Sequence, residues 1–232
     1  MIEKENLPII AVVASRDDKF TCLNNSATIK TILQYKKVSD CKIKLFSSNR
    51  LGLSEVYNKS IDEFLEEDVI LVFVHDDVII NDYFWARIVR QGLKTFDVVG
   101  IVGNTRRIEK QAGWIMLDLT GKCDSFDNLS GSIGQGKAFP PTKLDVFGEP
   151  YKQCKLLDGV FLATTTTILR QTKLRFDGQF KFHFYDIDFC RTAEEYNLTM
   201  GTIPLSVVHQ SYGSVNNEFY KSYELYLKKW NI

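Results

Sequence analysis

Val69-Ile70-Leu71-Val72-Phe73-Val74-His75-Asp76-Asp77-Val78 is an apolar run that stops abruptly at three polar residues. Unbroken β-branched and aromatic residues over such a length read as a strand buried on both faces. Strands of this kind sit in sheets covered by helices, and ligands collect outside their carboxyl ends. The His-Asp-Asp ending therefore falls where a site is expected. A single Asp after a strand ordinarily caps a turn or the next helix. Two adjacent carboxylates repel each other unless a proton, a cationic side chain or a metal ion offsets them. A divalent cation is the simplest remedy, because hard cations favour carboxylate oxygens.

Working outward, Pro8 to Ala14 (PIIAVVA) reads as a first buried strand ending in the Ser15-Arg16-Asp17-Asp18 cluster. Ala27, Ile29, Ile32, Leu33 and Tyr35 form a helical stripe, and Lys42 to Phe46 alternates like a second strand. Leu53 to Leu65, with Val56, Tyr57, Ile61, Phe64 and Leu65 apolar, reads as a helix feeding the central run. Val98 to Val102 is a further short strand, and Trp114 to Leu117 another. Alternating strands and helices predict an α/β fold, a Rossmann-like single domain with a largely parallel central sheet flanked by helices. The carboxyl-end rule then places Ser15, Arg16 and Asp17 near Asp76 and Asp77. From Leu119 to Pro150 the texture changes to Gly, Ser, Asp and Pro, including SGSIGQG and FPP. It reads as a long loop insertion, either an ordered surface feature or a lid facing a substrate.

A chain of 232 residues is long enough for one α/β domain with a proper core. Its 29 basic and 29 acidic residues balance, so nothing marks nucleic acid as a partner. Cys22, Cys41, Cys123, Cys154 and Cys190 are scattered singly, without CxxC spacing, as reduced intracellular thiols would be. The start, MIEKENLPII, is unlike a signal peptide, and no apolar stretch approaches the ~20 residues of a membrane span. A cytoplasmic location is expected.

Three segments of the second half carry candidate chemistry. Leu156 to Ala163 (LLDGVFLA) is a turn entering a buried element. Phe182-His183-Phe184-Tyr185-Asp186-Ile187-Asp188-Phe189-Cys190 opens a helix, with Asp186 and Asp188 at its positive end. Helix capping is the ordinary use of such carboxylates. Val207-Val208-His209-Gln210-Ser211 follows. In this order, behind the upstream HDDV, the segments resemble family 2 glycosyltransferases of the GT-A fold, in the bacterial glycosyltransferase-like branch. The resemblance covers nearly the whole chain.

The resemblance implies a division into residues 1–118, a nucleotide-sugar-binding half; 119–155, the insertion; and 156–232, an acceptor and catalytic half. Ser15, Arg16 and Asp17 match the region that cradles base and ribose, and Asn58 lies on the helix near the donor. His75-Asp76-Asp77 occupies the place of the DxD motif that holds Mn²⁺ or Mg²⁺ against the donor diphosphate. Asp77 is the first choice of ligand, and Asp76 is a second ligand or a ribose acceptor. Asp186 matches the general base of inverting members, and His209 a late His of the metal or diphosphate site.

The chain also departs from the pattern: His75 replaces the first Asp, Tyr185 stands where relatives carry Glu, and Thr164 and Thr165 stand where they carry basic residues. His75 is expected to orient the loop, and His183 to pack between Phe182 and Phe184. The apolar surroundings of Phe182, Phe184 and Tyr185 are expected to raise the Asp186 pKa. Phe219, Tyr223, Tyr226 and Trp230 form a stripe between Asn217 and Trp230, suited to packing on the domain or to peripheral membrane contact.

The function expected is inverting, metal-dependent transfer from a nucleotide-diphosphate sugar to a saccharide or lipid-linked acceptor, in surface polysaccharide or glycoconjugate synthesis. Clustered Asp residues also suit a nucleotidyltransferase or phosphohydrolase. A noncatalytic nucleotide-sugar-binding module is the third alternative.

Overall fold

The computed structural model describes residues 6–232; Met1 to Glu5, half of the start read above as unlike a signal peptide, lie outside them. Chain order begins β1 (Ile9–Ala14), α1 (Lys19–Asn25), α2 (Ala27–Gln34), β2 (Cys41–Phe46), α3 (Leu53–Phe64) and β3 (Ile70–Val74). Strands β2, β1 and β3 are parallel neighbours, with Ile9 opposite both Cys41 and Ile70. Every residue of β3 is buried. Ile70, Val72 and Val74 face one core with α2, while Leu71 and Phe73 face the other with α3. Alternating side chains thus fill both cores, which is why the run shows no polar interruption.

Beyond β3 lie β4 (Val78–Ile80), α4 (Trp85–Thr95), β5 (Val98–Gly100) and β6 (Val102–Asn104). The single strand expected over Val98 to Val102 is broken at Ile101, and its two halves enter different sheets. Next come β7 (Leu129–Gln135), β8 (Lys143–Gly148), β9 (Gln153–Cys154), β10 (Leu156–Leu157), β11 (Phe161–Thr165) and α5 (Thr166–Thr172). The chain continues through α6 (Tyr185–Glu195), β12 (Met200–Thr202), β13 (Val207–His209) and α7 (Asn217–Trp230). The main sheet has the order β2-β1-β3-β11-β5-β12-β9; the second runs β10-β6-β7-β13-β4, with β8 paired to β7.

The main sheet is mixed, not largely parallel. Strand β11 lies antiparallel to both β3 and β5, and β9 antiparallel to β12. The chain reaches β11 from the second sheet through a tight turn, and an antiparallel strand needs no helical crossover. The expected 119–155 insertion is also partly sheet. Strand β7 pairs with β6, β8 and β13, so it is an inner strand of the second sheet. Its Leu129 and Ile133 are buried among Ser and Gly, too few to display an alternating pattern. Gly131 has φ +90°, and a Cβ there would lie 2.0 Å from the Ile101 carbonyl oxygen, so the small residues serve close packing. Trp114 to Leu117 is irregular, apart from a bridge between Met116 and Cys123.

Helix α7 closes the domain by docking. Phe219, Tyr223 and Tyr226 are buried, with ring centroids 5.2, 5.7 and 5.4 Å from that of Phe184. Fully buried Asp188 accepts hydrogen bonds from Lys229 Nζ and Trp230 Nε1, both at 2.9 Å. Lys229 also pairs with Asp177 at 2.8 Å, and the Arg191 guanidinium lies 4.2 Å from the Trp230 ring centroid. The stripe therefore faces the protein and serves packing on the domain. Among the described residues no helix is long and apolar enough to cross a membrane. Lys229→Met, which strips buried Asp188 of its cation, is expected to cost about 3 kcal/mol in urea unfolding. Adding Asp188→Asn should recover part of that loss.

Candidate active site

The loop His75 to Asp77 is held from three directions. From α2, Ser26 Oγ donates to the Asp76 carbonyl at 2.6 Å and Thr28 Oγ1 to the His75 carbonyl at 2.5 Å. The His75 N–H donates to Val160 O ahead of β11, and the Asp77 carbonyl accepts from Gln210 N after β13. The β13–β4 register sets His209 opposite Val78, and that brings a residue 134 positions away beside the loop. His75, Asp77 and His209 each present a donor atom, all within 4.8 Å of one another. His209 Nε2 lies 3.3 Å from Asp77 Oδ1 and 3.2 Å from Ser211 Oγ.

The two carboxylates of the loop have different surroundings. Burial acts to raise the Asp77 pKa, yet hydrogen bonds from His209 and Ser211, with the charges of His209 and His75, hold it well below the usual range. Asp76 is raised instead, by burial and by Asp77 against a hydrogen bond from Ser15. It stands outside the three-residue group and on the Ser15 side. Asp77 is thus the loop carboxylate that belongs to the group able to hold a metal ion. His75, expected only to orient the loop, joins the group. Its pKa is lowered, by burial and then by His209, which favours the neutral ring that a metal requires.

Tyr185 and Gly159 connect this group to Asp186. Tyr185 Oη donates to Gly159 O at 2.8 Å and lies 2.9 Å from His75 Nε2. Both bonds are satisfied when His75 carries its proton on Nε2, which leaves the Nδ1 lone pair free. Gly159 N in turn donates to Asp186 Oδ2 at 2.8 Å, and Ile187 N to Asp186 Oδ1 at 2.9 Å. Phe184, just before α6, holds φ +65°, a strained value for an aromatic residue that its buried packing against α7 maintains. Asp186 has its pKa raised to about 7, by burial and by neighbouring Asp158, against the two backbone N–H bonds. Solvent still reaches it, because it lies in a cleft of about 630 Å³ that also exposes His75, Asp158 and His209.

Of the other expected residues, Ser15 reaches the loop through its hydrogen bond to Asp76. Ser15 is buried at the end of β1 with its Oγ accepting from Asp17 N, while Arg16 and Asp17 are exposed. Asn58 is committed elsewhere: its carboxamide donates to Phe176 O at 2.7 Å and accepts from Phe176 N at 3.0 Å, tying α3 to the segment before α6. His183 packs against Phe219, as a structural histidine would. Asp158 and the linking role of Tyr185 were missed; the DG turn before a buried strand was the available signal.

No protein-family model matches the chain, and no curated protein matches it. Solved structures do. GalNAc-T7, solved with UDP, GalNAc and Mn²⁺, superposes with a TM-score of 0.57 at 12% identity over 97% of this chain. The chain spans 48% of GalNAc-T7's length. A197 from STIV matches with a TM-score of 0.49 at 11% identity, over 90% of this chain and 97% of that one. The likeness to GalNAc-T7 is one of fold: the two share an α/β architecture.

A Cβ on Gly159 would lie 2.2 Å from Tyr185 Oη and 2.9 Å from Asp186 Cβ. Gly159→Ala is expected to lower unfolding free energy by roughly 1–3 kcal/mol, measured in urea. The raised Asp186 pKa means that the folded state holds the extra proton between about pH 4 and 7, so its contribution to stability falls as pH rises through that window. Asp186→Asn should therefore raise the melting temperature at pH 8 and change it little at pH 4.

Proposed function

We propose that the protein is an inverting glycosyltransferase that moves a sugar from a nucleoside-diphosphate donor to an acceptor hydroxyl. The observation that carries this reading is the convergence of His75, Asp77 and His209 with Asp186 on a fold shared with a protein solved with UDP, GalNAc and Mn²⁺. Two imidazoles and one carboxylate suit a transition ion better than Mg²⁺, so Mn²⁺ fits this donor set. When bound there, it supplies Lewis-acid stabilisation of the charge gathering on the departing diphosphate. The contacts of His75 with Tyr185 and of His209 with Ser211 position the two rings that, with Asp77, would hold it. Asp76, held apart beside Ser15, is assigned to a ribose hydroxyl of the donor.

The acceptor oxygen forms a bond to the anomeric carbon as the bond from that carbon to the diphosphate oxygen breaks, its electron pair leaving with the diphosphate. Asp186 takes the acceptor proton. A carboxylate with a pKa near 7 is well matched to that task at neutral pH, unlike an ordinary surface Asp. Displacement on the side opposite the leaving group inverts the anomeric carbon. The resemblance set out above supports surface polysaccharide or glycoconjugate synthesis as the setting. Two-metal phosphoryl chemistry is supported less, since the described residues form one such ligand group.

The test is binding and turnover. Mn²⁺ with a nucleoside diphosphate should raise the melting temperature more than Mg²⁺ does, and Asp77→Ala should abolish the shift. Asp186→Asn should lower transfer roughly 10²- to 10⁴-fold and retain the Mn²⁺-dependent shift. The wild-type rate should rise with pH to a plateau above about 7. Undiminished transfer by Asp186→Asn would remove it as the base.

A further inference from the structure

We infer that the acceptor is an uncharged glycoside with an apolar face or aglycone, and not a sugar carried on a phosphate or diphosphate. The inference deepens the glycosyltransferase reading and rests on it.

The cleft of about 630 Å³ is of a size to bury a substrate-sized molecule. It opens on Asp186 and on both histidines of the ligand group, yet Ser15, Arg16, Asp17 and Asp76 do not line it. It is therefore room for a second molecule beside the donor, on the side where the base waits. One wall carries Trp114, Met116 and Phe147, with Trp114 and Phe147 in edge-to-face contact at 5.0 Å. That wall is fixed, since the Trp114 carbonyl accepts from Asn104 Nδ2 at 3.0 Å and Gln111 Nε2 at 3.3 Å. Phe182, 52% exposed and stacked on His75, and Tyr212, 68% exposed, stand on the cleft as well. Exposed aromatic rings around a catalytic carboxylate are unsatisfied until an apolar surface covers them.

Charge narrows the class further. No lysine or arginine lines the cleft among the described residues, and its formal charges are the carboxyl groups of Asp158 and Asp186. The one cation that the proposed reaction would bring to the cleft, a metal ion held by His75, Asp77 and His209, is matched by the donor diphosphate, so a phosphate on the acceptor would lose its hydration with no further cation to replace it and would face two acids. Arg50 stands instead beside the loop after β1, where its Nη1 donates to the Arg16 carbonyl. An anionic donor and an uncharged acceptor are matched to the two sides.

The experiment compares acceptors at saturating donor and Mn²⁺: octyl and 4-nitrophenyl hexosides, the free hexoses, hexose 1-phosphates and a prenyl-phosphate sugar. Uncharged alkyl or aryl glycosides should show a KM roughly tenfold or more below those of the free hexoses, with the phosphorylated compounds the poorest acceptors. Tyr212→Ala, in an exposed loop where folding is not at risk, should raise the glycoside KM, and Tyr212→Phe should restore it. Ser214→Lys, which places a cation on the cleft, should improve turnover of hexose 1-phosphates. Equal or better transfer to a phosphorylated acceptor overturns the inference. So does donor hydrolysis that no uncharged glycoside diverts to transfer, and both results leave the glycosyltransferase reading standing. Failure of every nucleoside diphosphate to bind with Mn²⁺ would overturn that reading, and the inference with it.

Discussion

The close approach of α6 to Gly159 is the constraint on which the site depends. Gly159 gives its N–H to Asp186 and its carbonyl to Tyr185, whose hydroxyl reaches His75. A single residue without a side chain thus joins Asp186 to the His75, Asp77 and His209 group. A Cβ would occupy the space of the Tyr185 hydroxyl, so the joint and the glycine are the same requirement. The aromatic packing of Phe184 against α7, and the Asp188–Lys229 pair behind it, hold the start of α6 in place. Residues with no chemistry of their own, far along the chain, thereby set where Asp186 stands.

Electrostatics then separates groups of identical chemistry. Asp76 and Asp77 are adjacent, yet burial raises the first while His209 and Ser211 hold the second ionised. Asp186 and Asp188 are two residues apart on one helix. Asp188 is buried against Lys229 and Trp230 and serves packing, while Asp186 faces the cleft beside another acid and holds its proton near neutrality. Environments that push carboxylates apart in this way let groups of one chemistry serve different ends, as Asp188 in packing and Asp186 on the cleft illustrate. With its pKa raised by burial and by Asp158, Asp186 contributes less to stability as pH rises through about 7.

Much of the scaffold was legible in the chain. The run at Val69 to Val74 is apolar because both faces of β3 are covered, and the stripes of α2, α3 and α7 follow the helical repeat. Patterning failed where packing relies on small residues. Strand β7 is inner sheet, but its Ser and Gly residues look like a loop because close backbone approach, not apolar bulk, is what they supply. The direction of β11 was hidden too, since side-chain alternation is the same in parallel and antiparallel strands.

Residue identity and order, with the resemblance they carry, marked Asp77, Asp186 and His209 as candidates and left His75 to orient the loop. Their surroundings depend on partners between 27 and 134 residues away. Only the β13–β4 register brings His209 to Asp77, and only the turn at Gly159 reveals that Tyr185 links His75 to the Asp186 side. Asn58 lost its expected place for the same reason, its carboxamide held by Phe176 across a distance in sequence that no local pattern encodes. Local physics selects elements and their exposed ends, whereas ligand sets and pKa values arise from desolvation and contacts that exist only once the chain has folded.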